Sequence, residues 1–80
     1  MNREVKIPKW GLMIENMTIV EWFKAVGDRV ENGDALCEVE TDKANSEIDS
    51  PSAGTLVELR GQVGTNYRVG DVIAVIETKD

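Results

Sequence analysis

One lysine, Lys43, stands in a setting where an amine side chain could carry covalent chemistry. It lies in the segment Glu40-Thr41-Asp42-Lys43-Ala44, between two runs in which apolar and polar residues alternate. Alternation of this kind is typical of β-strands, and Asp42 suits a turn. The sequence therefore predicts a tight hairpin with Lys43 at its tip. A side chain there is accessible on a rigid support, as a covalent attachment site requires.

Other residues with catalytic chemistry are few. The chain has no histidine and one cysteine, so it cannot assemble a zinc or haem site or a histidine-based nucleophile–base pair. Cys37 cannot form an internal disulfide. Because it sits in an apolar strand without a basic neighbour, we interpret it as a buried small hydrophobe rather than a reactive thiol. We expect no metal site, no catalytic residues and no enzymatic activity in the isolated domain.

Acidic residues surround Lys43. The net charge is −6, and five carboxylates lie in the two predicted hairpin strands, namely Glu38, Glu40, Asp42, Glu47 and Asp49. They form either a solvated strand face or an acidic recognition surface for partner enzymes with basic entrances. Nucleic acid is not an expected partner, because its phosphates require basic patches. The other lysines, Lys6, Lys9, Lys24 and Lys79, have the settings of ordinary solvated charges.

An internal repeat organises the elements that must position Lys43. Residues 19–43 align without a gap on residues 56–80, a shift of 37 positions, and eight of the 25 pairs are identical. Two similar halves this short must pack on each other, most simply about a pseudo-two-fold axis. Lys79 aligns with Asp42, at a chain end that we expect opposite the Lys43 hairpin. One attachment site per domain is therefore predicted.

The local pattern is β throughout, with turn signals between short runs of branched and apolar residues. The predicted strands lie near Glu4–Ile7, Thr18–Phe23, Ala35–Thr41, Ala44–Asp49, Thr55–Leu59 and Val72–Thr78. They predict an all-β domain spanning residues 1–80, a small antiparallel sandwich or flattened barrel. A chain of 80 residues buries only about 60% of its unfolded surface, which leaves little room for a deep catalytic cleft.

The stretch from Gly11 to Met17 is apolar yet stands between two predicted strands. We predict a surface loop folded over one end of the barrel. Its residues either plug that end or form a patch that contacts a partner. The candidate partner loop comprises Leu12, Met13, Ile14, Glu15, Asn16 and Met17.

Neither a membrane span nor a signal peptide is evident, because no apolar run is long enough and the N-terminus is polar. We therefore expect an intracellular protein that does not associate with membranes.

Several segments together resemble a lipoyl domain, the carrier domain of the acyltransferase (E2) component of 2-oxo acid dehydrogenase complexes, within the biotinyl/lipoyl attachment family. The resemblance covers Val5 to Glu77. It is carried by Lys6-Ile7-Pro8-Lys9-Trp10-Gly11, Ile19-Val20-Glu21-Trp22, Val26-Gly27-Asp28, Gly33-Asp34, Glu38-Val39-Glu40-Thr41-Asp42-Lys43-Ala44 and Ser50-Pro51-Ser52-Ala53-Gly54.

The resemblance implies a barrel-sandwich hybrid of two four-stranded antiparallel sheets, with the modified lysine at one end and both termini at the other. Two further short strands are expected near Arg29-Val30 and Tyr67-Arg68. It implies lipoate joined by an amide to Lys43, attached by a lipoate ligase or octanoyltransferase that recognises the folded hairpin. The matching recognition positions are Glu40, Asp42 and Ala44, with Thr41 beside them.

The implied function is that of a swinging arm. The lipoyl group would carry acyl groups and reducing equivalents between the E1 decarboxylase, the E2 acyltransferase core and the E3 dihydrolipoamide dehydrogenase. The domain would be a monomer when isolated, and an excised part of a dihydrolipoamide acyltransferase, since a carrier needs its core within reach. Its expected location is the bacterial cytoplasm or the mitochondrial matrix.

Two alternatives remain open. A biotin carrier shares the expected fold but resembles Met-Lys-Met at the tip, where this chain has Asp42-Lys43-Ala44. An unmodified barrel-sandwich could serve as an interaction module. The chain also departs from the lipoyl pattern at Ile14–Met17, where relatives often carry methionine followed by Glu-Gly. Pyruvate, branched-chain and acetoin-type complexes therefore all remain possible.

Overall fold

Eight β-strands form two antiparallel sheets in the computed structural model, which describes residues 1–9, 15–42 and 44–78. The strands are β1 (Asn2–Lys6), β2 (Asn16–Trp22), β3 (Arg29–Val30), β4 (Ala35–Glu40), β5 (Asn45–Asp49), β6 (Gly54–Leu59), β7 (Asn66–Arg68) and β8 (Val72–Glu77). All six strands predicted from alternation are confirmed, with ends that differ by at most two residues. The two short strands that the family resemblance implies are confirmed as β3 and β7.

Each sheet combines strands from both halves of the repeat. One sheet has the order β1-β8-β6-β3 and the other has the order β5-β4-β2-β7. The pairing of β2 with β4 recurs 37 residues later in the pairing of β6 with β8. It includes the register shift, which falls between Ile19 and Glu21 in one sheet and between Leu56 and Glu58 in the other. The predicted pseudo-two-fold arrangement is therefore present down to its bulges.

Reciprocal hydrogen bonds join the two halves. The Gly27 amide donates to the carbonyl of Leu56 at 2.7 Å, and the equivalent Gly64 amide donates to the carbonyl of Ile19 at 2.8 Å. Both glycines have positive φ, +99° and +88°, a conformation that costs glycine little. The repeat therefore encodes a contact that each half makes with the other.

The core lies between the sheets and consists of aliphatic side chains from both halves. Leu36 and Cys37 are adjacent in sequence, yet both are fully buried. Strand alternation alone would expose one of them, but the register of β4 against β5 shifts between Ala35 and Cys37. A bulge of this kind turns two successive side chains toward one face. The prediction that Cys37 is a buried small hydrophobe is confirmed.

The predicted loop ends earlier than the sequence analysis places it. Asn16 and Met17 belong to β2, where they pair with β7, so their assignment to a loop is wrong. Met17 is only 1% exposed and packs in the core, which makes it unavailable to a partner. Glu15 is exposed, and its carbonyl accepts a hydrogen bond from the Val69 amide at 3.0 Å. Leu12, Met13 and Ile14 lie outside the described residues.

Within the described ranges, no helix combines the length and the apolar character that crossing a membrane would require.

Candidate functional site

The hairpin of β4 and β5 closes through Thr41 and Ala44. The Thr41 amide donates to the Ala44 carbonyl at 3.0 Å, and the Thr41 hydroxyl donates to the same carbonyl at 2.8 Å. In return, the Ala44 amide donates to the Thr41 hydroxyl oxygen at 3.3 Å. Asp42 and Ala44 are exposed. Lys43, which stands between them in the sequence, lies outside the described residues. The structure therefore confirms a tight turn at the predicted position.

This turn differs from the commonest two-residue hairpin turns. Types I′ and II′ require a positive φ at the first central residue, here Asp42. No non-glycine residue in the described part of the chain has a positive φ. The Thr41 hydroxyl instead bonds to both backbone groups of Ala44. The Thr41 side chain thus helps to close the turn. Because Asp42 does not adopt a positive φ, the turn does not need glycine at that position.

Met1 and Thr78 occupy the position that is pseudo-symmetric to this turn. Thr78 corresponds to Thr41 in the repeat, and its amide and hydroxyl both donate to the Met1 carbonyl, at 2.7 and 3.1 Å. Thr78 lines a surface depression with Asn32, which precedes β4, whereas the 41–44 turn follows β4. Met1 and Thr78 therefore lie together at the end of the barrel opposite the turn, where the repeat predicts the end of its second half.

Three glutamates form a row across the sheet that carries the turn. Glu21 on β2 pairs directly with Glu38 on β4, and Glu38 pairs directly with Glu47 on β5. Glu21 and Glu47 are exposed and Glu38 is half-buried. The Asn45 side-chain amide donates to the Glu38 carboxylate at 2.9 Å. Like charges placed directly opposite each other on a sheet repel, so this row costs stability.

The equivalent row on the other sheet is neutralised. Glu58 and Glu4 take the places of Glu21 and Glu47, but Val75 stands between them. Arg60 pairs with Glu58 at 2.5 Å, and Lys6 lies 3.9 Å from Glu4. The hydrogen bond that Arg60 donates to the Glu58 carboxylate, followed by the negative charge of that carboxylate, raises the pKa of Arg60 above its ordinary value.

No ion pair among the described residues involves the row Glu21, Glu38 and Glu47. This row of glutamates without an ion pair therefore lies on the sheet that carries the candidate site.

The predicted recognition residues lie together at the turn and on its sheet. Glu40 is exposed at the end of β4, and Asp49 is exposed on β5. Sequence reasoning missed Glu21, because it lies outside the hairpin and only the pairing of β2 with β4 brings it into the row.

The single thiol is not part of a reactive centre. Burial raises the pKa of Cys37 from 9.0 to about 12, and a backbone hydrogen bond from Ile48 offsets this in part. A thiol with so high a pKa is a poor nucleophile near neutral pH. Within the described residues, no group of three or more histidine, cysteine or carboxylate side chains could hold a metal ion.

The fold and the turn define a class of small barrel-sandwich domain that presents one clamped hairpin at one end. The family model described as "Biotin-requiring enzyme", whose name covers both biotin and lipoyl groups, matches residues 3–76. The chain belongs to this biotinyl/lipoyl attachment family.

Similar proteins are acyltransferase components of three different complexes. The succinyltransferase component of the 2-oxoglutarate dehydrogenase complex of Staphylococcus saprophyticus is 48% identical over 73 residues, which are 91% of this chain and 17% of that protein. The acetyltransferase component of the pyruvate dehydrogenase complex of Corynebacterium glutamicum is 42% identical over 95% of this chain and 11% of its own. The lipoamide acyltransferase component of the branched-chain alpha-keto acid dehydrogenase complex of Bacillus subtilis is 40% identical over 95% of this chain and 18% of its own. The chain thus spans less than a fifth of each relative.

Solved structures share the fold at low sequence identity. The solution structure of the lipoyl domain of the Azotobacter vinelandii 2-oxoglutarate dehydrogenase complex has a TM-score of 0.71 at 21% identity, covering 92% of this chain and 96% of that one. The urea carboxylase of Kluyveromyces lactis contains a similar unit, with a TM-score of 0.82 at 22% identity, covering 96% of this chain and 6% of that one. The barrel-sandwich expected from the resemblance is confirmed.

Proposed function

We propose that this chain is a lipoyl carrier domain in which lipoate forms an amide with Lys43. The observation that carries the proposal is the 41–44 turn, which is clamped through Thr41 and has exposed residues, Asp42 and Ala44, on both sides of the lysine position. At the pseudo-symmetric position, Thr78 bonds to Met1, which belongs to a separate segment of the chain. This asymmetry supports one attachment site per domain.

The residues around the turn suit a tethered group. A long flexible arm needs a fixed base that leaves space around it, and the exposed tip of a closed hairpin provides both. When bound, lipoate supplies a dithiolane that carries acyl groups and reducing equivalents. The domain itself contributes tethering and recognition. Tethering raises the effective concentration of the group at each active site of the complex.

The proposed partners follow from the relatives, which are components of 2-oxo acid dehydrogenase complexes. They are the E1 decarboxylase, the E2 acyltransferase core, the E3 dihydrolipoamide dehydrogenase, and a lipoate ligase or octanoyltransferase for attachment. The three relatives belong by name to three complexes at similar identity, so 2-oxoglutarate joins the pyruvate and branched-chain systems as a candidate. We place the domain in the bacterial cytoplasm or the mitochondrial matrix.

Recognition is proposed to use the turn and the acidic face together. Glu40, Thr41, Asp42 and Ala44 frame the lysine, and the row Glu21, Glu38 and Glu47 extends the negative charge across the same sheet. The three glutamates of the row repel one another and have no cationic partner among the described residues. Such a row suits a role in binding a partner rather than in stabilising the fold. Complementary charge on a partner would orient the domain and raise the association rate. The part of the loop at residues 12–15 stays a predicted partner contact.

Attachment in vitro tests the proposal. The unmodified chain is incubated with a lipoate ligase, lipoate and ATP, and in parallel with a biotin ligase, biotin and ATP. We expect lipoylation of the wild-type chain and of Lys79→Arg, and none of Lys43→Arg. Lys79 is a matched control because it aligns with the attachment turn in the second half of the repeat. Modification by the biotin ligase alone would favour a biotin carrier, and modification by neither would favour an unmodified module.

A further inference from the structure

The Thr41 hydroxyl is the one side-chain group that the described structure shows bonded across the attachment turn in both directions. It donates to the Ala44 carbonyl at 2.8 Å and accepts from the Ala44 amide at 3.3 Å. A hydroxyl can do this because it is both a donor and an acceptor. No other side chain at this turn offers the same pair, since a carboxylate only accepts hydrogen bonds.

The repeat shows what the threonine contributes at each end of the barrel. At the opposite end, the Thr78 hydroxyl donates to the Met1 carbonyl at 3.1 Å, in the same geometry relative to the strands. There, the hydroxyl links Thr78 to Met1, which lie in separate segments of the chain. At the attachment end, it holds a closed turn of the same chain, with Asp42 and Lys43 between the two bonded residues. A threonine hydroxyl therefore joins two separate segments at one end of the barrel and closes a turn at the other.

We propose that Thr41 is the positioning residue of the attachment site, and that its hydroxyl holds the 41–44 turn in the conformation that the attaching enzyme accepts. This inference rests on the proposed lipoylation of Lys43. Thr41 acts through the turn and not by touching the group that is transferred. Its role differs from that of Asp42 and Ala44, whose exposed side chains are available for direct contact.

Replacing Thr41 with valine removes the hydroxyl and keeps the branched shape that suits the end of a strand. Each exposed hydrogen bond is worth about 1 kcal/mol net, so losing one or both lowers the ratio of closed to open turn by about five- to thirtyfold. The apparent affinity of an enzyme that binds only the closed turn then falls by up to the same factor, and the full factor is reached where the open turn predominates. The KM for the domain should rise while kcat stays within about twofold.

The experiment compares wild type, Thr41→Val, Thr41→Ser and Thr78→Val as the acceptor for a lipoate ligase. Initial rates are measured against domain concentration, and urea unfolding is recorded for each variant. We expect kcat/KM to fall several-fold, and by at most about thirtyfold, in Thr41→Val and to recover to within about twofold in Thr41→Ser. Thr78→Val removes the equivalent hydroxyl at the other end, and should lower stability about equally without changing kcat/KM by more than about twofold.

The possible failures are distinguishable. If Thr41→Val were lipoylated at the wild-type rate, the positioning role of Thr41 would be overturned and the proposed function would stand. An equal loss of kcat/KM in Thr78→Val would also overturn it, because a general effect on stability would then explain both. A wild-type chain that accepts no lipoate would overturn the proposed function, and the inference with it.

Discussion

Replacing Glu47 with glutamine should make the domain more stable, although it removes a charged residue from the surface. Glu47 lies directly opposite Glu38, which in turn lies opposite Glu21. The substitution keeps the size and polarity of the side chain and deletes one of the two repulsive pairs in the row. Glu4, its pseudo-symmetric equivalent, pairs with Val75 and lies 3.9 Å from Lys6. Glu4→Gln is therefore a matched control at the same place in the fold.

The expected gain follows from the geometry of the pair. A directly opposed cross-strand pair contributes roughly 0.2–1 kcal/mol, here as repulsion. Glu47→Gln should therefore raise the free energy of unfolding by about 0.2–1 kcal/mol at low salt, which in a domain of this size corresponds to about 1–8 °C in Tm. Glu4→Gln should give no gain, because it removes an exposed ion pair worth about 0–1 kcal/mol.

Thermal and urea unfolding at low and high salt measure both effects. Trp22 is partly buried against the core and donates a hydrogen bond to the Gly61 carbonyl at 2.9 Å, so its fluorescence should report unfolding. At 1 M salt the Debye length is about 3 Å, and most of the Glu47→Gln gain should disappear. The reasoning is refuted if Glu47→Gln is no more stable than wild type at low salt, or if Glu4→Gln is stabilised to the same extent.

Two further predictions concern the core. A Cβ on Gly54 would meet the backbone carbonyl oxygen of Glu77 and lie 2.9 Å from the Ile76 Cγ2 atom. Gly54→Ala should therefore lower the free energy of unfolding, measured in urea, by about 1–3 kcal/mol. Unchanged stability would contradict this contact. Burial raises the pKa of Cys37 from 9.0 to about 12, so the neutral thiol contributes stability that is complete below pH 9 and is lost as the pH rises toward 12. The difference in stability between wild type and Cys37→Ala should therefore shrink above pH 9, and a constant difference would contradict the shift.

Alternation and turn chemistry were sufficient to predict the long strands, because each buries one face against the core. The gapless repeat also predicted the pseudo-two-fold packing, since two short halves must share one core. The strands β3 and β7 are only two and three residues long, too short to show a period, and they were expected only from the family resemblance. The burial of both Leu36 and Cys37 could not be predicted, because it depends on a bulge set by the pairing with β5.

The site was predictable where it is local in sequence and not where it depends on pairing. The hairpin turn and the acidic residues of its two strands follow from the segment around Lys43. Glu21 joins the row only through the pairing of β2 with β4, and the contrast with the neutralised sheet needs the position of Arg60 as well. The bonds of the Thr41 hydroxyl depend on side-chain geometry within the turn. Asn16 and Met17 were misassigned because their place in β2 depends on pairing with β7, which the sequence around them does not show.

The most direct test of the central claim is the intact mass of the chain produced in a lipoylating host, followed by peptide mapping. We predict a single lipoyl increment, located on Lys43, and its absence from Lys43→Arg. An unmodified chain, a biotinyl increment, or a lipoyl group mapped to another lysine would contradict the account.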